Sequence, residues 1–370
     1  MNPPARLLVR SVNWLGDAVM STPALSAIRA AWPQTRITML TPAKLADLWR
    51  AHPALDEVKA FHPADNAFAV ARALRPDEHD AALILPNSFR SALEPFLAGI
   101  PRRIGHAGQL RSMLLTQPIQ RNPAEQKMRK RTKAEIIELN ARGVWNQPYT
   151  LAGHQIHHYL DLVRALGIPA PESAPVLGVH DQEIAAFREK FTIHAPTVIG
   201  INAGAEYGPA KRWPRERFVE TIRHVANQQP AAWVIFGAKA DIETAEWIAG
   251  ELRNSLATEN EVHVVAGKTS LRELCAGLKL CRVLLTNDTG PMHVAAAVGT
   301  TVIVPFGSTS PELTGPDPLG LQRHQIIRTG VPCSPCFLRE CPIDFRCMTT
   351  IASADVAASV LAALNAKGAK

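Results

Sequence analysis

Short runs rich in Val, Ile and Leu, each closed by a polar residue, Pro, Gly or Asn, recur along the whole chain with helically spaced segments between them. Such a run reads as a strand buried on both faces, and a parallel sheet sandwiched between helices is the arrangement that buries strands in that way. The runs are 5–12, 35–41 and 80–86 in the first half, then 195–202, 231–237, 261–265, 282–288 and 301–307. Helical spacing follows at 21–32, where Thr22 can cap, Pro23 opens and Leu25, Ile28 and Trp32 share a face. It returns at 215–228, 241–255, 270–280, 291–298 and 354–366. The class is α/β, and 370 residues suit two doubly wound domains. Three prolines in 168–175 read as the linker, which sets the domains at 1–172 and 176–349, with 350–370 as a terminal helical segment. Ligands of such domains gather in loops after the strands, in a cleft at their carboxyl ends.

Composition narrows the classes. With 46% apolar and 20% charged residues the chain is neither disordered, collagen-like nor a coiled coil. The best apolar run, 292–306, contains His293, Thr300, Thr301 and Pro305 and is too short to span a bilayer. The N-terminal apolar stretch Leu7–Val9 lies between arginines and soon meets Asp17, so no signal-peptide core is read; the expected compartment is the cytoplasm, with reduced cysteines. Between Arg102 and Lys133 nine basic residues face one acid, Glu125, which outweighs the net +7 of the whole chain. That field suits a multiply anionic partner, or it is a solvated loop. Lys127–Lys133 lacks an aromatic residue for base stacking, which counts against nucleic acid.

Several motifs carry chemistry. Asn13-Trp14-Leu15-Gly16-Asp17 puts a carboxylate at a strand's carboxyl end, as a helix cap or facing the cleft. One glycine stands there where a dinucleotide fingerprint needs three, so a dehydrogenase is not indicated. Gly204 to Pro214 is a tight loop whose amides can approach phosphate, with Lys211 as point charge. Gly267-Lys268-Thr269 mimics a P-loop end, but Val262 stands where the first glycine is required. Asp288, Thr289, Gly290, Pro291 and His293 open a helix and form an anion site, with Asp288 suited to a ribose and Thr289 to a phosphate. Gly307–Ser310 is a second small-residue loop, and the alternative is ordinary capping plus a core-facing His293. Cys333, Cys336, Cys341 and Cys347 either bind zinc or an iron–sulfur cluster or simply pack their thiols. Cys275 and Cys281 read as core, and His154, His157 and His158 as a helix surface.

In order, the segments NWLGDAVMSTPAL, GAEYGPAKRWP, AGKTSLREL, NDTGPMHVAAA with FGSTSP, and CSPCFLRECPIDFRCM resemble the ADP-heptose:lipopolysaccharide heptosyltransferases of glycosyltransferase family 9, nearest in look to their heptosyltransferase II branch. The resemblance runs from near residue 6 to near 350. It implies a GT-B fold, two Rossmann-like domains facing across a cleft, the first for acceptor and the second for ADP-heptose, with 350–370 packing back on the first. It further implies inverting transfer of L-glycero-D-manno-heptose to the heptosyl-Kdo-lipid A inner core, with no metal and no cofactor required. Asp17 matches the general base and Lys211 the lysine at the donor phosphates. Asp288, Thr289, Gly290 and His293 match the nucleotide-sugar motif, and Asp241 falls near a ribose-binding acid. Lys127, Arg129, Lys130 and Arg131 are then expected to serve the lipid-linked acceptor and the inner-leaflet surface, as a peripheral protein of the cytoplasmic face. The alternatives are a related glycosyltransferase with another acceptor, or a nonenzymatic nucleotide-sugar or polyanion-binding protein.

Overall fold

A parallel strand can be joined to its neighbour only by a crossover, so the order in which strands enter a sheet decides where its open crevice falls. The computed structural model describes residues 2–108, 110–121, 128–143 and 151–366. Its first sheet contains β1 (Arg6–Arg10), β2 (Arg36–Pro42), β3 (Glu57–Phe61), β4 (Ala81–Ile84), β5 (Arg102–His106) and β6 (Gln117–Ile119), in the order β3-β2-β1-β4-β5-β6. The second contains β7 (Val198–Asn202), β8 (Ala232–Ile235), β9 (Glu261–Val264), β10 (Val283–Thr286), β11 (Thr301–Pro305) and β12 (Gln325–Ile327), in the order β12-β11-β10-β7-β8-β9. Every pairing is parallel. Both sheets are therefore doubly wound as expected, and each reverses direction beside its own first strand, between β1 and β4 and between β7 and β10.

Apart from β9, a half-buried edge strand, the strands read from sequence are the buried ones. Those missed were β3, β5, β6 and β12, which carry polar or charged residues; β3, β6 and β12 are also sheet edges, where a half-exposed strand loses its apolar signature. Among the described residues no helix is long and apolar enough to cross a membrane.

The domain boundaries differ from the sequence expectation. One compact unit comprises Met1–Glu125 and Gln155–Gly178, the other Gln126–His154 and Val179–Lys370. The helix Lys133–Arg142 belongs with the second unit because Ile136 buries itself among Cys333 and Cys336, while the Arg131 amide donates to the Cys336 carbonyl at 3.0 Å. The last helix, Ser353–Asn365, does not return to the first unit. Its Val356, Val360 and Leu364 form one stripe in the second unit's core with Phe218 and Ile222. Its first turn is tied by the Ser353 hydroxyl to Glu220 at 2.7 Å, and its last by Arg282 donating to the Leu364 carbonyl at 3.1 Å.

Beneath the loop after β1, Arg10 and Glu94 form a buried ion pair at 2.7 Å, with the guanidinium 4.4 Å above the Phe61 ring. Arg10 also donates to the Ser11 carbonyl at 2.5 Å, so the end of β1 is braced where the chain turns toward Asp17.

Two histidines remote from these loops are held neutral. Burial pushes His52 and His324 each down to about 4. Each Nδ1 accepts a backbone N–H at 3.2 Å, from Ala54 and Val302 respectively, which an imidazolium cannot do. As pH falls from 6.5 the unfolded chain takes up protons that the folded chain refuses until about pH 4, so stability rises with pH across that window. Melting temperature followed by circular dichroism should drop between these limits, and His52→Gln should make the drop shallower.

Candidate functional site

In the first unit the crevice beside β1 receives the loop 11–14 and the short helix Leu15–Met20. Trp14 occupies the cap position, so Asp17 is a first-turn residue and not the cap itself. Its carboxylate accepts a hydrogen bond from the Tyr159 hydroxyl, which burial and the Asp17 charge push well above its ordinary pKa, keeping it a donor. The Tyr159 oxygen in turn accepts from Gln155 Nε2 at 3.3 Å. Sequence reasoning missed Tyr159, although a buried tyrosine hydroxyl needs a partner.

Two of the neighbouring histidines, His154 and His158, are also a correction, because they are inside where a helix surface was expected, whereas His157 is half-buried and faces Glu172. His158 is buried, stacks on His106 at 3.9 Å and meets Asn87 Nδ2 at 3.1 Å. Burial, reinforced by His106, Arg121 and Arg111, pushes it down to about 3. His154, within the second unit, is buried and its Nε2 donates to the Gly315 carbonyl at 3.1 Å.

In the second unit the crevice lies between the loops after β7 and β10. Asn287 stitches them together: its Nδ2 donates to the Ala203 carbonyl at 2.7 Å, and its Oδ1 accepts from the Trp213 amide at 3.0 Å. With the loop held at both ends, Lys211 Nζ reaches Asp288 Oδ2 at 2.6 Å, and the Thr309 hydroxyl donates to that same oxygen at 2.5 Å. Both charged side chains are largely buried. A buried pair of this kind holds the ammonium in one position.

Thr289 occupies the cap position of the helix Gly290–Ala297 without a side-chain cap bond, so the alternative of ordinary side-chain capping is not seen; Gly290 and Pro291 open the helix. His293 is buried beneath, pushed down to about 4 by burial against the opposing pull of Asp288, and is a neutral imidazole. Lys211, Asp288, Thr289, Gly290 and His293 thus come together at adjacent strand ends, where a helix N-terminus favours an anion. Asp241 lies beside the same loop: its carboxylate accepts the Ala238 amide at 2.9 Å and packs against Gly204, where a Cβ would stand 2.4 Å from the carboxyl carbon. Thr309 and Asn287 were not assigned roles from sequence; both act through contacts more than twenty residues away along the chain.

The basic run belongs to the second unit instead of the first. Lys127 lies outside the described residues. Arg129 pairs with Glu135 at 2.6 Å, Lys130 is exposed, and Arg131 Nη1 donates to the Pro332 carbonyl at 3.4 Å. The run is therefore attached to the cysteine-rich segment. There Cys333, Cys336, Cys341 and Cys347 line one small cavity with Ile136 and Ala210, and all are free thiols. Burial raises Cys336, and it pushes Cys347 up to about 12. Among the described residues no three His, Cys, Asp or Glu groups are arranged to hold a metal ion. Cys275 and Cys281 are core residues, as expected.

The glycosyltransferase family 9 (heptosyltransferase) model matches residues 67–345. The chain is 29% identical over 321 residues to lipopolysaccharide heptosyltransferase 2 of Salmonella typhimurium, covering 84% of this chain and 85% of that one. The structure of E. coli ADP-heptose lps heptosyltransferase II superposes with a TM-score of 0.76 at 27% identity, over 97% of this chain and 98% of that one. E. coli heptosyltransferase WaaC with ADP-2-deoxy-2-fluoro heptose shares the fold, with a TM-score of 0.65 at 17% identity over 98% of this chain and 100% of that one.

Removing the Asn287 amide would leave the Trp213 N–H and the Ala203 carbonyl buried without partners, at about 1–3 kcal/mol each. Asn287→Ala should therefore lower the urea midpoint, which equilibrium unfolding would measure.

Proposed function

Because the chain belongs to glycosyltransferase family 9 (heptosyltransferase), we propose that it transfers L-glycero-D-manno-heptose from ADP-heptose to the heptosyl-Kdo-lipid A inner core during lipopolysaccharide synthesis. The observation that carries this reading is the buried Lys211–Asp288–Thr309 assembly at the crevice of the second unit, set against a helix N-terminus. It is built to receive a diphosphate. The relatives named heptosyltransferase 2 or II supply the sugar and the acceptor class.

In the reaction the acceptor hydroxyl oxygen bonds to the heptose anomeric carbon as the bond from that carbon to the ADP oxygen breaks, inverting the centre. The hydroxyl proton passes to the Asp17 carboxylate, and the electron pair leaves with ADP. Lys211 and the amides heading Gly290–Ala297 stabilise the charge that accumulates on the departing diphosphate. With His293 neutral, Lys211 supplies the positive charge at this point. Asp288 holds Lys211 in place and Asp241 stands toward the ribose. No metal or cofactor is needed for these steps. The exposed basic run, with Arg129 and Lys130 at the surface, serves the phosphorylated acceptor and draws the protein to the cytoplasmic face of the inner membrane.

Two experiments test the reading. Incubation with ADP-heptose and acceptors bearing zero, one or two heptoses, followed by mass spectrometry, should add one heptose to the singly substituted acceptor; product on a different acceptor would reassign the branch. Asp17→Asn keeps size but cannot take a proton, so transfer should slow at least about a hundredfold with ADP-heptose binding unchanged. Near-normal turnover would return Asp17 to a structural role.

A further inference from the structure

The reaction just described leaves the cysteine-rich segment without a task, yet that segment is fastened to two loops that supply the donor site, those carrying Lys211 and Thr309. The amides of Cys336 and Phe337 donate to the Ser308 carbonyl at 3.0 and 2.7 Å, on the loop after β11. On the loop after β7, the Tyr207 hydroxyl donates to the Phe337 carbonyl at 2.8 Å, and the Ala210 amide donates to the Arg339 carbonyl at 2.9 Å. The backbones approach so closely that a Cβ on Gly208, whose φ is +151°, would lie 2.6 Å from the Arg339 carbonyl oxygen. Only glycine suits that position.

This docking brings Arg339 to the Tyr207 ring, with its guanidinium carbon 5.2 Å from the ring centroid. Lys211 Nζ is 5.0 Å from the same centroid. The two cations are thus at most about 10 Å apart, roughly one screening length at ~0.1 M salt. Lys211 has Asp288 as counter-charge, while Arg339 is exposed and its nearest aromatic support is the ring it shares with Lys211. A planar guanidinium can bind two phosphate oxygens at once, whereas an ammonium acts as a point charge.

We propose that Arg339 is a second cation of the diphosphate site, delivered from the cysteine-rich segment to bind the nucleotide's phosphates beside Lys211. The segment's packed thiols then act as the anchor that keeps Arg339 at the donor loops. Tyr207 is the positioning residue that both cations share. The inference rests on the reading that Lys211 takes the donor diphosphate.

Calorimetric titration with ADP, and separately with adenosine, on the full chain tests it in wild type, Lys211→Gln, Arg339→Gln and Arg339→Lys. Loss of one charge-assisted phosphate contact should weaken ADP binding about tenfold in Arg339→Gln, with Arg339→Lys intermediate. Adenosine affinity should stay unchanged, and the loss of ADP affinity between about 0.05 and 0.3 M salt should be smaller in Arg339→Gln than in wild type. If Lys211→Gln loses ADP affinity and Arg339→Gln stays within about twofold of wild type, the inference is overturned while the donor reading stands. Equal weakening of ADP and adenosine would also overturn it, because Arg339 would then be a prop for the loop and not a phosphate ligand. If wild type fails to bind ADP, or Lys211→Gln binds it normally, the donor reading falls and the inference falls with it.

Discussion

Right-handed crossovers on a parallel sheet carry successive strands away from the first one, and when the direction of addition reverses, the loops on either side of that strand have nothing between them. Both units of this chain meet that condition, at β1/β4 and β7/β10. The consequence is chemical as well as topological. Backbone at such a place is open to a ligand, and the side chains that reach it must be held by contacts from elsewhere. In the second unit Asn287, on the loop after β10, does this by satisfying a carbonyl and an amide at the two ends of the loop after β7. In the first, Arg10 and Glu94 do it from below, as a buried pair whose charges cancel in a place water does not reach.

The electrostatics of the second unit's crevice follow from burial. An imidazole next to Asp288 would ordinarily be drawn toward its charged form, yet desolvation wins at His293 and leaves it neutral. Lys211 Nζ instead lies 2.6 Å from Asp288 Oδ2, and the Thr309 hydroxyl donates to the same carboxylate oxygen. The positive charge offered to a ligand is therefore carried on a long side chain with a fixed partner, and does not depend on the titration of a histidine.

Residues whose positions are set locally were legible in the sequence. Asp17, Lys211 and Asp288 each follow a strand run, and a strand end followed by a polar loop already says where a side chain will sit. Tyr159 was not legible, since its partner lies on a helix more than a hundred residues earlier in the chain. Asn287 looked like one more polar residue in a motif dominated by its neighbours. His154 and His158 looked superficial because their polarity suggested water, whereas stacking and carbonyl contacts satisfy them inside. The last helix was misplaced for a different reason: its stripe Val356, Val360 and Leu364 says that it is buried but not against which unit, and only Glu220 and Arg282 decide that.

The chain's path through its two units also orders events during synthesis. The first unit is interrupted at Glu125 and resumed at Gln155, and the helix Lys133–Arg142 in between packs on residues of the other unit. Ile136 leaves the ribosome about 200 residues before Cys336, against which it is buried, a delay of about 10–40 s at ordinary translation rates. For that interval the nascent protein carries a capped, charge-balanced helix, preceded by the basic residues Arg129, Lys130 and Arg131, whose Ile136 still lacks the side chains it is buried against, in the middle of a unit whose sheet strands have all already been made.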